Sequence, residues 1–136
     1  MPDDLKAIRL QPAQAWLRPH IDRPEYVRQV QASDSFTAEE ARGVLAVAAF
    51  FTIWPGRVEL CALLSELVGP SQMLSLHRAT RRLISRAPGR IEATVDGRFE
   101  EGHRWMQMLG FTLETPNGMK GYLPNGGTSY LYARLQ

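Results

Sequence analysis

The stretch Arg57–Arg86, RVELCALLSELVGPSQMLSLHRATRRLISR, constrains the fold most tightly. It opens with a mainly apolar run, Val58–Leu64, bounded by Gly56 on one side and Ser65-Glu66 on the other. Such a run suits a strand buried on both faces, as in the middle of a mixed sheet. Gly69-Pro70-Ser71 then breaks the chain. Beyond the break, Met73, Leu76, Leu83, Ile84 and Ala87 gather on one side at helical spacing, and Arg78, Arg81, Arg82 and Arg86 fall on the other. Strand, tight turn and helix form the arrangement in which backbone N–H groups at a helix start can face an anion. A core strand followed by an ordinary amphipathic helix accounts for the same pattern.

The flanking segments say what this unit joins. Residues 5–31 are helical in pattern but interrupted by Pro19 and Pro24, because proline removes a donor and clashes with the preceding turn. Ala13, Trp16 and Leu17 mark one helix face and Tyr26, Val27 and Val30 another. The spacing predicts helices over about 12–18 and 24–31, with a bend through His20-Ile21-Asp22. Ser33–Ala38 reads as a short strand and Glu39–Gly43 as a polar turn. Gly43–Trp54, rich in Val, Ile, Phe and Ala, reads as a long inner strand. Its core side is predicted at Val44, Ala46, Ala48 and Phe50. Pro55-Gly56 turns the chain, and Arg57–Leu64 returns antiparallel, with Leu60, Ala62 and Leu64 inward.

After the basic helix, Arg90–Val95 alternates as a strand does, and Asp96-Gly97 ends it. Phe99–Leu109 is predicted as a second helix that packs Trp105, Met108 and Leu109 inward. Gly110 suits its C-terminus, since glycine tolerates the left-handed conformation there. Phe111–Thr115 and Thr128–Leu135 are expected to close the sheet as a pair. Strands before and after a strand–helix–strand–helix–strand centre predict an α+β fold with a mixed sheet. At 136 residues, one domain spanning 1–136 is the expectation.

Composition excludes several function classes. The formal net charge is only +2, which argues against nucleic acid or an anionic membrane as a partner of the whole surface. Val44–Trp54, the longest apolar run, is too short to span a bilayer as a helix. The start, MPDDLKAIRL, lacks the basic-then-apolar order of a signal peptide. Cys61 is the single cysteine, so no disulfide framework or cysteine zinc cluster exists within one chain. His20, His77 and His103 are dispersed, and no metal site is expected. No Gly-x-Ser-x-Gly elbow is present. These features describe a soluble protein of a reducing compartment.

Near the end, Trp105-Met106-Gln107-Met108-Leu109-Gly110-Phe111 follows the RIEATV strand and precedes the strand YLYARL. That order, with the "LGF" signature closing a helix, resembles the GNAT superfamily of N-acetyltransferases over roughly residues 33–135. In detail it is most similar to short GNAT-like proteins encoded by tailed bacteriophages, some of them virion or assembly proteins. The resemblance implies a mixed, mostly antiparallel sheet flanked by helices. It also implies an ancestral acetyl-CoA site.

The departures from that pattern bear on activity. In the family, the turn after the central strand carries Arg or Gln and two glycines, whose N–H groups hold the acyl-CoA pyrophosphate. Here it reads Leu67-Val68-Gly69-Pro70-Ser71-Gln72, and Pro70 has no N–H. Phe99 stands where the family has an asparagine that holds the pantetheine arm. Met106 stands where a tyrosine often protonates the leaving thiolate. The resemblance therefore implies a retained scaffold without catalysis or cofactor, working through contacts with virion or assembly proteins in a virion or the host bacterial cytoplasm. The alternative is an acetyl-CoA-dependent N-acetyltransferase with an atypical loop. Glu59 or Glu66 would then be the base, and Gly69, Ser71 and Gln72 would hold the cofactor.

Two further expectations come from the residues themselves. Arg78, Arg81, Arg82 and Arg86 form either a solvated face or a contact surface for an acidic partner, arginine being a planar fork of donors. Ser71 is placed to cap the basic helix, and Trp16, Trp54 and Trp105 are read as core anchors.

Overall fold

The computed structural model describes residues 7–10, 14, 17–31, 33–87 and 89–135. In chain order they form α1 (Arg18–Ile21), α2 (Pro24–Gln31), β1 (Asp34–Glu40), β2 (Gly43–Trp54) and β3 (Arg57–Leu64). Then follow α3 (Pro70–Arg86), β4 (Arg90–Asp96), α4 (Glu100–Met108), β5 (Thr112–Leu113) and β6 (Ser129–Leu135). The strands make a six-stranded sheet in the order β1-β2-β3-β4-β6-β5. β3 and β4 pair in parallel, and β1–β2, β4–β6 and β5–β6 pair antiparallel. The fold is α+β with a mixed, mostly antiparallel sheet, as the order of elements predicted.

Two compact units divide the chain: Met1–Thr52 with Leu60–Arg86, and Ile53–Glu59 with Ala87–Gln136. In the first, β2 is buried on both faces over Val44–Phe50, as expected of a strand that is apolar at every position. Ile8, Ile21, Val30, Val44, Val47, Ala49 and Leu63 form one cluster, with Leu17, Tyr26 and Phe51 packed against it. Ala46, Ala48 and Phe50 are buried as well. The β1–β2 ladder slips at Ala38/Glu39, leaving Leu45 as a bulge whose carbonyl accepts the Ser65 N–H at 2.8 Å.

In the second unit, β4 presents Ile91, Ala93 and Val95 to the core. α4 lies close against it. A Cβ on Gly102 would come within 2.6 Å of the Phe99 ring and 3.0 Å of Val95. Gly110, at φ +85°, ends α4, and its N–H and that of Phe111 bond the carbonyls of Gln107 and Met106. The LGF signature is thus a helix terminus that drives Leu109 and Phe111 into the core.

Several expectations need correction. The bend expected at His20-Ile21 is helical, forming the end of α1; of the helix expected over 12–18 only Arg18 falls in α1, and Pro12, Ala13, Ala15 and Trp16 lie outside the described residues. β1 runs on to Glu40 and leaves only Ala41-Arg42 as the turn. The strand expected over Phe111–Thr115 shrinks to Thr112–Leu113. Met108 is 69% exposed and Met106 is buried instead, because the inward stripe of α4 runs through Gly102, Trp105 and Met106. Trp105 is buried, whereas Trp54 is 56% exposed at the hairpin tip. There Arg57 covers its ring at 4.5 Å, a cation–π contact. Ala62 is only half-buried, while Leu63 packs in the core.

Candidate functional site

The turn between β3 and α3 is built by short-range bonds that consume its donors. Met73 N–H bonds the Gly69 carbonyl at 2.9 Å, which makes Gly69 the N-cap and Pro70 the first helical residue. Proline is pre-organised for that position. Gln72 reaches back, and its Oε1 accepts the Gly69 N–H at 3.0 Å and the Ser71 hydroxyl at 3.2 Å. This is the returning half of a capping box. The cap is therefore Gln72, not Ser71 as the sequence suggested, because proline at the first position moves serine inside the helix.

The other donors of the turn are also spent. Ser65 N–H bonds Leu45, Glu66 N–H bonds the Arg9 carbonyl at 2.8 Å, and Val68 N–H bonds Ser65. Leu67 N–H bonds the Ser65 hydroxyl at 3.0 Å. From Ser65 to Pro70 every N–H is used or missing. The helix start retains the N–H groups of Ser71 and Gln72, which a first turn cannot bond within itself. Beside it opens a cleft of about 520 Å³ whose lining includes Ser71, Gln72, Glu39 and Glu40. Glu40 there is paired with Arg42. Relative to a glycine-rich turn, this one offers fewer backbone N–H groups to a phosphate, and each charge-assisted bond not made forgoes about 1.5–3 kcal/mol.

Glu66 is exposed and ion-paired with Arg9. Glu59 is different. It is half-buried on β3, and its Cα partner on β4 is Glu92. Burial pushes its carboxyl above the usual range, the charge of Glu92 adds to that, and Arg57 opposes it. Glu92 is buried and held by two arginines. Arg57 Nε and Nη2 donate to its two oxygens at 2.6 and 3.0 Å, and Arg90 Nε donates at 2.8 Å. The Arg57 bond leads in holding its carboxyl below the usual range, with Arg90 assisting against burial. Arg90 continues the chain to Glu114. Two glutamates whose carboxyls are shifted in opposite directions thus occupy partnered positions on β3 and β4. The pair escaped the sequence reading, although a glutamate in mid-strand between Ile91 and Ala93 was the available signal.

α4 supplies no groups to a reaction at the two positions where the family does. Phe99 is buried against Gly102, and Met106 is buried and donates no proton. Nearby, His103 Nε2 lies 3.1 Å from the Asp96 carbonyl and Nδ1 2.8 Å from the Tyr132 hydroxyl. A carbonyl only accepts, so the neutral ring carries its proton on Nε2 and the hydroxyl donates to Nδ1. Burial pushes the Tyr132 hydroxyl above its ordinary range, and neighbouring Tyr130 adds to that. On α3, Arg78, Arg81, Arg82 and Arg86 are exposed. They make no ion pair among the described residues. No group of acidic, histidine or cysteine side chains there can hold a metal.

No protein-family profile and no curated protein matches the chain. Solved structures do. Ard1 from Thermoplasma volcanium is similar with a TM-score of 0.76 at 15% identity, covering 99% of this chain and 93% of that one. A GNAT-family acetyltransferase from Bacillus anthracis is similar at TM-score 0.67 and 16% identity, over 99% of this chain and 90% of the other. An IAA acetyltransferase from Bacillus cereus is similar at TM-score 0.68 and 13% identity, over 93% of each. At these identities the likeness is one of architecture: the chain has the fold of the GNAT acetyltransferases.

Proposed function

We propose that this GNAT-fold chain works without acyl-CoA, through contacts with other proteins. The observation that carries this reading is the β3–α3 turn, where every N–H from Ser65 to Gly69 is bonded within the chain and Pro70 has none. Phe99 and Met106, both buried and apolar, support it. A finer version, in which the contacts are those of a virion or its assembly, rests on the resemblance of the sequence to short GNAT-like bacteriophage proteins alone. The exposed arginines of α3 are the charged surface available for an acidic neighbour.

Isothermal titration with acetyl-CoA tests the reading. No heat is expected at millimolar cofactor. Micromolar affinity, about −8 kcal/mol, would overturn it. A second reading, an N-acetyltransferase with an atypical cofactor loop, is favoured by Glu59, a half-buried glutamate on the central strand whose carboxyl burial raises above the usual range. Acyl transfer to amine acceptors, abolished in Glu59→Gln, would establish that reading instead.

A further inference from the structure

A cavity of about 620 Å³ opens where β4 ends, walled by the turn Asp96-Gly97-Arg98, by Lys120 and by the chain leading into β6. Sites for small molecules commonly enclose about 300–1,000 Å³. The chain itself braces these walls. Gly97 N–H bonds the Thr128 carbonyl at 2.9 Å, Gly126 N–H bonds the Leu123 carbonyl at 2.8 Å, and Met119 and Ser129 exchange two backbone bonds. A Cβ on Gly97 would lie 3.1 Å from the Tyr130 ring and 3.2 Å from the Thr128 carbonyl oxygen, so glycine lets the turn close on β6.

The charges of the lining do not balance. Both oxygens of its acidic residue, Asp96, are taken by Arg98, whose backbone N–H lies 2.9 Å from Oδ1 and whose Nη2 lies 3.1 Å from Oδ2. Lys120 lines the same cavity, is exposed and makes no ion pair among the described residues. One positive charge is left over. The Asn125 amide oxygen accepts the Gly127 N–H at 2.9 Å, which commits its acceptor and leaves its NH2 to donate. The hydroxyls of Thr128 and Tyr130 make no hydrogen bond among the described residues. Arg98, Lys120, Asn125, Thr128 and Tyr130 thus bring donors to the lining, while its carboxylate and its side-chain amide oxygen are already bonded. That set suits the several oxygens of a phosphate better than the two of a carboxylate.

We propose that this cavity binds the phosphate group of a small phosphorylated molecule, with Lys120 as the main charge partner and Asn125 as a neutral donor. Neither the β3–α3 turn nor the α3 arginines belong to the lining, so the site stands or falls independently of the protein-contact reading.

Backbone amide NMR of the full chain, titrated with inorganic phosphate at constant ionic strength, tests this. Saturable shifts are expected at Lys120 and over residues 125–130. Succinate is expected to bind several-fold more weakly. Lys120→Glu is expected to weaken phosphate binding by at least about tenfold, in keeping with the loss of a charge-assisted contact. Asn125→Asp keeps an oxygen for the Gly127 N–H while removing the free NH2, and is expected to weaken binding as well. Arg104→Glu makes the same charge change as Lys120→Glu at an exposed position of α4 outside the lining. With exposed charges screened by salt, it is expected to change affinity by less than about twofold. All three variants alter exposed residues and are expected to keep the wild-type thermal midpoint, which separates loss of binding from loss of fold. Shifts that fail to saturate or that centre on other residues would overturn the proposal. So would equal losses in Lys120→Glu and Arg104→Glu, unchanged affinity in Asn125→Asp, or succinate binding as tight as phosphate.

Discussion

Glu59 and Glu92 sit on paired strands yet respond oppositely to pH, and their neighbours are the reason. The carboxyl of Glu92 is held below the ordinary glutamate range by Arg57 and Arg90. Its stabilising contribution is present above the unfolded value and is lost as pH falls through the folded one. Glu59 is raised by burial and by Glu92, so its contribution is full below the unfolded value and lost as pH rises through the folded one. Denaturant melts across pH 3–8 should separate the two, on the order of the range over which glutamates titrate. Glu92→Gln should lower stability at neutral pH by about 2 kcal/mol, because two arginines lose charge-assisted bonds, and should flatten the acid limb. Glu59→Gln should match or exceed wild type at neutral pH. A neutral-pH loss in Glu59→Gln as large as in Glu92→Gln would show that Glu59 is ionised and paired.

Phe50 tests the sheet at the same scale. It is buried on β2, and Phe50→Ala should cost about 3–5 kcal/mol in denaturant melts. A loss below about 1 kcal/mol would mean that the ring lies outside the close-packed core.

At the scale of the element, α4 is set by how closely it approaches β4. Gly102 lies in mid-helix, where alanine would ordinarily gain about 1 kcal/mol of propensity. Its Cβ would meet the Phe99 ring at 2.6 Å, and overpacking of that kind costs about 1–3 kcal/mol. Gly102→Ala should therefore destabilise the fold, and its cost should shrink when measured in a Phe99→Ala background, where the ring is gone. A thermal midpoint raised in Gly102→Ala would show that the Phe99 ring moves aside at little cost. α3 is closed differently, by a proline at its first position and a glutamine reaching back to the glycine before it. That closure stabilises the helix with the same donors that a phosphate would need.

For the whole molecule, the arginines of α3 separate a structural from an interacting role. Arg81 and Arg82 are exposed and bear on no core contact. Arg81→Glu with Arg82→Glu should change stability by about 1 kcal/mol or less. If the face meets an acidic neighbour, the same change should sharply weaken association, and the wild-type contact should weaken with salt, since exposed charges are screened over about 8–10 Å. Recovery in purified particles or in partner pull-downs, at low and high salt, measures this. Equal recovery of the folded variant would assign the face to solvent.

The sequence by itself determined the local pieces. Gly43–Trp54, Arg57–Leu64 and Pro24–Gln31 were readable to the residue, because apolar runs and proline or glycine punctuation are short-range signals. Gly110 marked its helix end for the same reason. Wherever burial depended on a distant partner, tertiary structure decided. Met106 rather than Met108 faces the core, and Trp54 stands in solvent under Arg57, because the packing of neighbouring elements sets which side of a helix or hairpin is covered. The spending of the turn's donors needed Arg9 and Leu45, far away in the chain. The Glu59–Glu92 pair needed the parallel register of β3 on β4. Hydrophobic pattern and turn chemistry act over a few residues, whereas register and the state of a carboxyl follow from what is brought beside them.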